Sequence, residues 1–416
     1  MSENRFTGSI PRSICSATSD LMFLDLSRNE LTDVIPTNLV TCSELVILNL
    51  AQNYLEGEMP EELGNLTQLQ TLNLNENQLQ GVIPPSIANC IELRVFDVGN
   101  NRIQGSIPIS IGKLADIRIL NLAFNKWQGS LPQELLNLTN LQILDLSHNN
   151  LSGFIPKRMG KLNAMANQSQ TDQTEMSLGG RISADVGPDF LIKFVNQVTL
   201  WIKGRATPYP KIISAFKFMD LSYNKLSGSI PEQMGDLKGL IALNISNNDL
   251  TGSIPKSLGG IVQLECLDLS GNMLSGNIPA DLSNLRFLSV LNLSYNNLSG
   301  LIPQGKQFAT FEASSYLGNA NLHGVPLENG TLTSGWGERG RQVQWNSTGV
   351  RDRDGDADAD EMDRWWVVSV GLCFGVGFAS VIAILCFHLK WRYKCFALLD
   401  SFIQYLMLSL PQRSSL

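Results

Sequence analysis

Histidine occurs three times in the 416 residues, at His148, His323 and His388, and none of the three stands in a nucleophile or metal motif. The seven cysteines form no CxxC pair and are too scattered for a zinc cluster. Charge is also scarce: charged residues make up 17% of the chain, with 31 basic against 38 acidic and a net charge of −7. Such a chain has no net electrostatic pull toward nucleic acid. No cationic, apolar leader follows Met1. These absences argue against an enzyme, and neither cofactor nor metal is expected. Mean hydropathy is nonetheless +0.01, high for a soluble chain, and points to a membrane segment hidden in the average.

What the sequence does have is repetition. One asparagine recurs every 24 residues, at Asn29, Asn53, Asn77, Asn101, Asn125 and Asn149, and again at Asn224, Asn248, Asn272 and Asn296. The frame around it is nearly constant, as in Leu267-Asp268-Leu269-Ser270-Gly271-Asn272-Met273-Leu274-Ser275-Gly276-Asn277-Ile278-Pro279. This resembles the leucine-rich repeat, LxxLxLxxNxL, in its 24-residue form. The LxL portion predicts a short parallel strand whose leucines point inward while the residue between them points out. Stacked asparagines predict a ladder of side-chain bonds to backbone where the chain turns. Glycine then permits a bend, and Ile-Pro fixes an extended backbone. The fold expected is an α/β-type solenoid with its short parallel strands on the concave face.

Two irregularities interrupt the pattern. Asn149 and Asn224 are 75 residues apart, and residues 163–214 lack the leucine frame. They open with the polar run Asn167-Gln168-Ser169-Gln170-Thr171-Asp172-Gln173-Thr174-Glu175 and become strand-like at Val198-Thr199-Leu200-Trp201-Ile202. A decayed pair of repeats is one reading, and an inserted island is the better one. The start is also abrupt: Asn4-Arg5-Phe6-Thr7-Gly8-Ser9-Ile10-Pro11 is the back half of a repeat without its strand. An uncapped end exposes apolar surface and a strand edge, so a longer parent receptor or a truncated product is expected.

Composition changes again after the repeats. Residues 351–363 hold Asp352, Asp354, Asp356, Asp358, Asp360, Glu361 and Asp363 against two arginines, a solvated acidic linker. The alternation misses the EF-hand glycine and its terminal glutamate. Trp366 to Phe387 then runs without a charge for long enough to cross a bilayer as a helix, with Trp365 and Trp366 at one interface and Lys390, Arg392 and Lys394 beyond the other. The positive-inside rule places the repeats outside, in a single-pass plasma-membrane protein. The expected organisation is a partial repeat plus six over 1–162, the island over 163–214 and four repeats over 215–304. A cap and linker over 305–350, acidic 351–364, a span over 365–388 and a cytoplasmic tail over 389–416 complete it. That tail is too short for a kinase domain.

In these motifs, including Leu226-Ser227-Gly228-Ser229-Ile230-Pro231, the chain resembles the plant leucine-rich-repeat receptor-like proteins, cell-surface receptors without a kinase domain. The resemblance places an island four repeats before the end of the array, with a motif of tyrosine, eight residues and Lys-Gly. Counting back from Lys203-Gly204 gives Phe194, which keeps the aromatic ring and loses the hydroxyl. It implies that Phe194, Trp201, Lys203 and Gly204 dock a co-receptor kinase of the somatic-embryogenesis type, although Trp201 is equally read as packing the island. It further implies that Gly371, Gly375 and Ala379, small residues on one helical face, bind an adaptor receptor-like kinase in the membrane, supported by Asp352–Asp363. In the cap, the family's Leu-Cys-Gly is here Leu322-His323-Gly324, so its closing disulfide is missing and the stability of that cap is in doubt.

Cys42 and Cys90 lie two coils apart, too far to bridge, and read as buried packing residues; no disulfide is expected. Cys395 is either palmitoylated or a free thiol. Glycan acceptors of the Asn-x-Ser/Thr type are expected at Asn65, Asn137, Asn167, Asn244, Asn292, Asn329 and Asn346, while Asn150 and Asn297 coincide with the repeat's own Asn-Leu-Ser.

For ligand contact, the last four repeats keep near-consensus outward residues such as Asp268, Ser270, Asn292 and Ser294, whereas earlier repeats depart from them. Asn73, Asn75, Glu76, Arg94, Asp97, Arg118, Asn121, Phe124, Asp145 and His148 mix charge, amide and aromatic groups suited to recognising an extracellular peptide, protein or glycan. Neutral drift on a solvated face gives the same departure. The expected function is a cell-surface receptor that borrows kinases, most often in plant defence by the resemblance. A developmental peptide receptor, a non-signalling decoy and an extracellular enzyme inhibitor are the alternatives.

Overall fold

The computed structural model describes residues 1–15, 20–167, 199–202, 205–208, 216–305 and 307–327. The chain divides into two compact units, Met1–Gly337 and Glu338–Leu416, and the second lies outside the described residues. The acidic run, the apolar segment at 366–387 and the tail all fall there. Among the described residues no helix is long and apolar enough to cross a membrane.

Each coil contributes one three-residue strand to a ten-stranded parallel sheet, from Phe23–Asp25 to Val290–Asn292. The register repeats with the sequence period, as in Leu48↔Leu72. The leucines on either side of the outward residue, such as Leu48 and Leu50, enter one continuous core that runs the length of the array. Each coil alone is too thin to bury them, and its neighbours close over both sides.

A second parallel sheet of eight strands flanks the first, ending in Asn297–Leu301 and Asn321–His323. Its strands come from the Leu-Ser-Gly segment, where the sequence alone indicates only a bend. The chain there is extended, and its amides and carbonyls pair with the next coil instead of with water. Glycine is required within it: Gly228 has φ +75°, and a Cβ would lie 2.5 Å from Phe154 Cδ1 of the preceding coil. The third side of most coils is a five-residue 3-10 helix such as Glu61–Asn65, entered through Pro60 at φ −62°. A 24-residue coil that spends itself on two sheets has no room for a full α-helix, so the α/β label is corrected to strand, strand and 3-10 turn. The one α-helical turn among the described residues is Asn163–Ala166.

The asparagine ladder forms. Asn53 Nδ2 donates to Leu26 O, Leu50 O and Ala51 O, and its Oδ1 accepts from Leu31 N at 3.0 Å. One side chain thus bonds its own turn and the coil before it. The ladder also settles the gap in the period. Leu151 N donates to Asn224 Oδ1 across 73 residues, whereas the neighbouring rungs span 22. Ile143 pairs with Phe218 in the long sheet. The extra residues therefore leave and rejoin the array between two adjoining coils. Within the insertion, Thr199–Ile202 is a strand and pairs antiparallel with Arg205–Pro208, a partner the sequence did not reveal.

The expectation of no disulfide is corrected: Cys15 and Cys42 are bonded, with Cα atoms 5.2 Å apart. Cys42 stands two coils from Cys90, but Cys15 precedes it by only 27 residues, on the coil directly before. Cys90 is free and buried, and burial pushes its thiol up to about 11. The C-terminal cap is closed without a disulfide. Phe308, Phe311 and Tyr316 are buried, the two phenylalanines edge to face at 5.7 Å. Asn319 adds a final rung, donating to Leu293 O and accepting from Leu298 N. It lies 23 residues after Asn296, so a strict period passes over it.

Asn248 makes four ladder bonds, to Leu221 O, Ile245 O, Ser246 O and from Leu226 N. Asn248→Ala strands these buried groups and is expected to lower the unfolding free energy by about 3 kcal/mol in urea titration. A loss under about 0.5 kcal/mol, the range of neutral surface changes, would show the ladder to be dispensable.

Candidate ligand-binding face

The open face of the long sheet, opposite the leucine core, carries parallel rows of side chains that each run across the coils. Arg94 and Arg118 begin one row on adjacent strands, with Arg118 N donating to Arg94 O at 2.8 Å. Gln70 and Gln142 flank them, both buried, each with an unpaired Oε1. Next come Val95, Ile119, Ile143 and Phe218, all buried. The third row is Asp97, Asn121, Asp145 and Asp220, and beyond it lie the small residues Gly99, Ala123, Ser147 and Ser222.

The far edge is aromatic. Phe124, His148 and Tyr223 stack as three successive rings, with centroids 4.1 and 4.2 Å apart and planes within 13° of parallel. All three residues sit in the left-handed backbone region, at φ 52°, 52° and 51°. Every coil takes this conformation here, and the others fill the place with Arg28, Gln52, Glu76, Asn100, Asn247, Gly271 or Tyr295. Phe124 and Tyr223 remain 43% exposed. The stack crosses from one side of the insertion to the other.

The residues expected to contact ligand thus divide. Glu76, Arg94, Arg118 and His148 are half-buried and Phe124 is exposed. Asn73, Asn75, Asp97, Asn121 and Asp145 are buried, contrary to their reading as exposed strand positions. Neighbouring coils stand so close that short side chains are covered laterally and bond one another. Asp97 shows the consequence: burial pushes its carboxyl up to about 7, against the lowering effect of bonds from Gly99 N and Asn121. Tyr223 escaped the sequence reading because it lies beyond the insertion. The available signal was its place directly before a ladder asparagine, shared by Phe124 and His148.

Trp201 lies on the strand Thr199–Ile202, paired with Ala206. Phe194, Lys203, Gly204, Gly371, Gly375 and Ala379 lie outside the described residues. Among the described residues no group of His, Cys, Asp and Glu is placed to hold a metal. Of the glycan acceptors, Asn65, Asn137 and Asn167 are exposed, and so are Asn150 and Asn297. Asn244 is a correction: it is buried on the sheet face and donates to Asp220 Oδ2 at 2.9 Å. Asn292 is half-buried in the same row, and Asn329 and Asn346 lie outside the described residues. Peptide mapping of the chain expressed through a eukaryotic secretory pathway is expected to find glycan at Asn65 and Asn137 and none at Asn244. A glycan at Asn244 would contradict the buried row.

Comparison with known proteins agrees with this architecture. One family model for the leucine rich repeat matches residues 19–79, 67–127 and 217–274, and a second matches 140–162 and 287–305. Receptor-like protein 45 of Arabidopsis thaliana is 49% identical over 245 residues, 58% of this chain and 24% of that protein. The chain spans about a quarter of the length of that relative. Among solved structures, the ectodomain of the Arabidopsis receptor kinase HAESA, in complex with an IDA peptide hormone, gives a TM-score of 0.59 at 32% identity. That match covers 77% of this chain and 45% of the other. A plant ice-binding protein gives 0.56 at 26% identity, covering 75% of this chain and 85% of its own. One coil architecture thus serves proteins with different targets. This chain is therefore built of leucine-rich repeats, and in sequence it is similar to the receptor-like proteins of Arabidopsis.

Proposed function

We propose that this protein is a cell-surface receptor of plants that binds an extracellular ligand on the open face of its long sheet and signals through receptor kinases, in defence. The observation that carries this reading is the stack Phe124–His148–Tyr223, which begins on the coil of Arg118 and continues over the next two coils. Aromatic rings and guanidinium groups are among the residue types that dominate recognition surfaces. The peptide hormone bound by the HAESA ectodomain supports a peptide or protein ligand here.

The signal is proposed to pass to partner kinases. The proposed routes are an adaptor receptor-like kinase met by Gly371, Gly375 and Ala379 of an apolar span, and a co-receptor kinase met by the island and the last four repeats. Small residues four apart let two helices approach closely in lipid, where no hydrophobic effect drives association.

The test uses the full-length chain in plant cells challenged with microbial extracts, read as an oxidative burst. Alanine at Arg94, Arg118 and Phe124 together is expected to reduce the response at least about tenfold, the loss of roughly 1.4 kcal/mol of binding, while surface delivery is unchanged. An unaltered response would remove this face as the ligand site. In parallel, Gly371→Leu with Gly375→Leu is expected to leave membrane insertion intact and to remove the adaptor kinase from co-precipitates. Undiminished recovery would refute the membrane interface.

A further inference from the structure

The flank that carries the second sheet continues past its eight strands to the first coils. There Glu30–Leu31 pairs with Thr7–Gly8, and single bridges join Val34 to Glu56 and Glu58 to Gln80. Alternate residues of each segment face solvent: Trp127 is fully buried, while Lys126 and Gln128 on either side of it are exposed. The first position after each ladder asparagine reads Glu30, Tyr54, Gln78, Arg102 and Lys126 over five successive coils. Gln78 is half-buried and the other four are exposed.

Charge on this flank is sorted along the array. Residues 30–34 and 54–58 of the first two coils hold Glu30, Asp33, Glu56 and Glu58 and no cation. The third coil is neutral, with Gln78, Gln80 and Val82. Residues 102–106 and 126–130 of the next two coils hold Arg102 and Lys126 and no acid. Among the described residues, none of Glu30, Glu56, Glu58, Arg102 and Lys126 has an ion-pair partner. The fold does not require charge here, since later coils place Met273 and Asn297 at the first position. One further coil separates the five from the inserted segment.

What covers such a flank must present the reverse order of charge. A polyanion held at Arg102 and Lys126 is repelled at Glu56 and Glu58, and a polycation meets the converse. A second copy of this chain, turned about a two-fold axis across Gln78, offers the reverse order without any other requirement. Glu30 of each copy then comes to Lys126 of the other, Tyr54 to Arg102, and Gln78 to Gln78.

We propose that this flank is the interface of a two-fold homodimer, in which two copies meet with their first five coils running in opposite directions. Tyr54 against Arg102 sets a ring against a guanidinium group, and the amides of the two Gln78 side chains can bond each other. Exposed ion pairs are individually weak and are screened by salt. Opposed patches of charge therefore act mainly on orientation and on the rate of encounter. The association is reversible and salt-sensitive.

The experiment mixes two differently tagged copies of the full chain in detergent micelles and measures recovery of one through the tag of the other. Unaltered copies are expected to recover each other at about 50 mM salt and to separate at about 1 M, where charges are screened within about 3 Å. Glu30→Lys/Glu56→Lys/Glu58→Lys turns the acidic end basic, and Arg102→Glu/Lys126→Glu turns the basic end acidic. Either variant mixed with itself is expected to be recovered at least about fivefold less. The two variants mixed with each other are expected to be recovered as the unaltered chain is, because both contacts are again of opposite sign. A folding fault is not repaired by mixing, and association through the apolar segment is common to every mixture. A carbodiimide crosslink between Glu30 and Lys126 is the second measurement. Within one chain these residues lie four coils apart, at least roughly 19 Å at the spacing of neighbouring strands, so the zero-length bond joins two copies. Equal recovery in all mixtures, failure of the two folded variants to recover each other, or absence of the crosslink in the unaltered chain would overturn the proposal.

Discussion

The side chain of one asparagine per coil supports the rest of this structure. A 24-residue turn of chain leaves carbonyls and amides at its corner that no local secondary structure can satisfy, and burial makes them expensive to leave alone. Asn53, Asn248 and their equivalents bond two carbonyls of their own turn and reach one carbonyl and one amide of the coil before. Stacking is therefore a condition for each coil's own geometry. The leucine core, the long sheet and the left-handed corners follow from the alignment that these bonds enforce.

Above this frame, the open face is where the coils differ. The core leucines are nearly interchangeable from coil to coil. The outward rows change from Arg28, Gln52 and Glu76 to Phe124, His148 and Tyr223 along a single column. Arg28 Nε donates to Gln52 Oε1, and Gln52 Nε2 to Glu76 Oε1, so the first part of the column is a polar chain and the later part a stack of rings. A surface of this kind has its chemistry ordered along one axis, with neighbouring side chains preorganised by contact.

The repeat frame was legible because its period is strict and each position has a single physical task. The core leucines, the ladder asparagines and the presence of an insertion could all be read from spacing. Other features could not. The second sheet depends on backbone pairing that leaves little trace in side chains beyond Gly228 and its equivalents. Cys15 was passed over because the partial first coil breaks the period that located Cys42. Asn319 shifts by one residue and so disappears from a strict count. Burial of Asp97, Asp145 and Asn244 is a property of lateral crowding between coils, which outward alternation along one strand does not express. The pairing of Asp145 with Asp220 arises only when the insertion is taken out of the chain and its two flanks are joined.

That joining has a consequence for how such a chain changes over generations. Ile143 and Phe218 pair, and Leu151 bonds Asn224, in the register they would have if nothing lay between the two coils. The length and sequence of the inserted segment are therefore decoupled from the packing of the array. A segment held in this way can be lengthened, exchanged or rewritten by recombination without renegotiating the core. Selection for new partners can then act on it while the scaffold remains as it was.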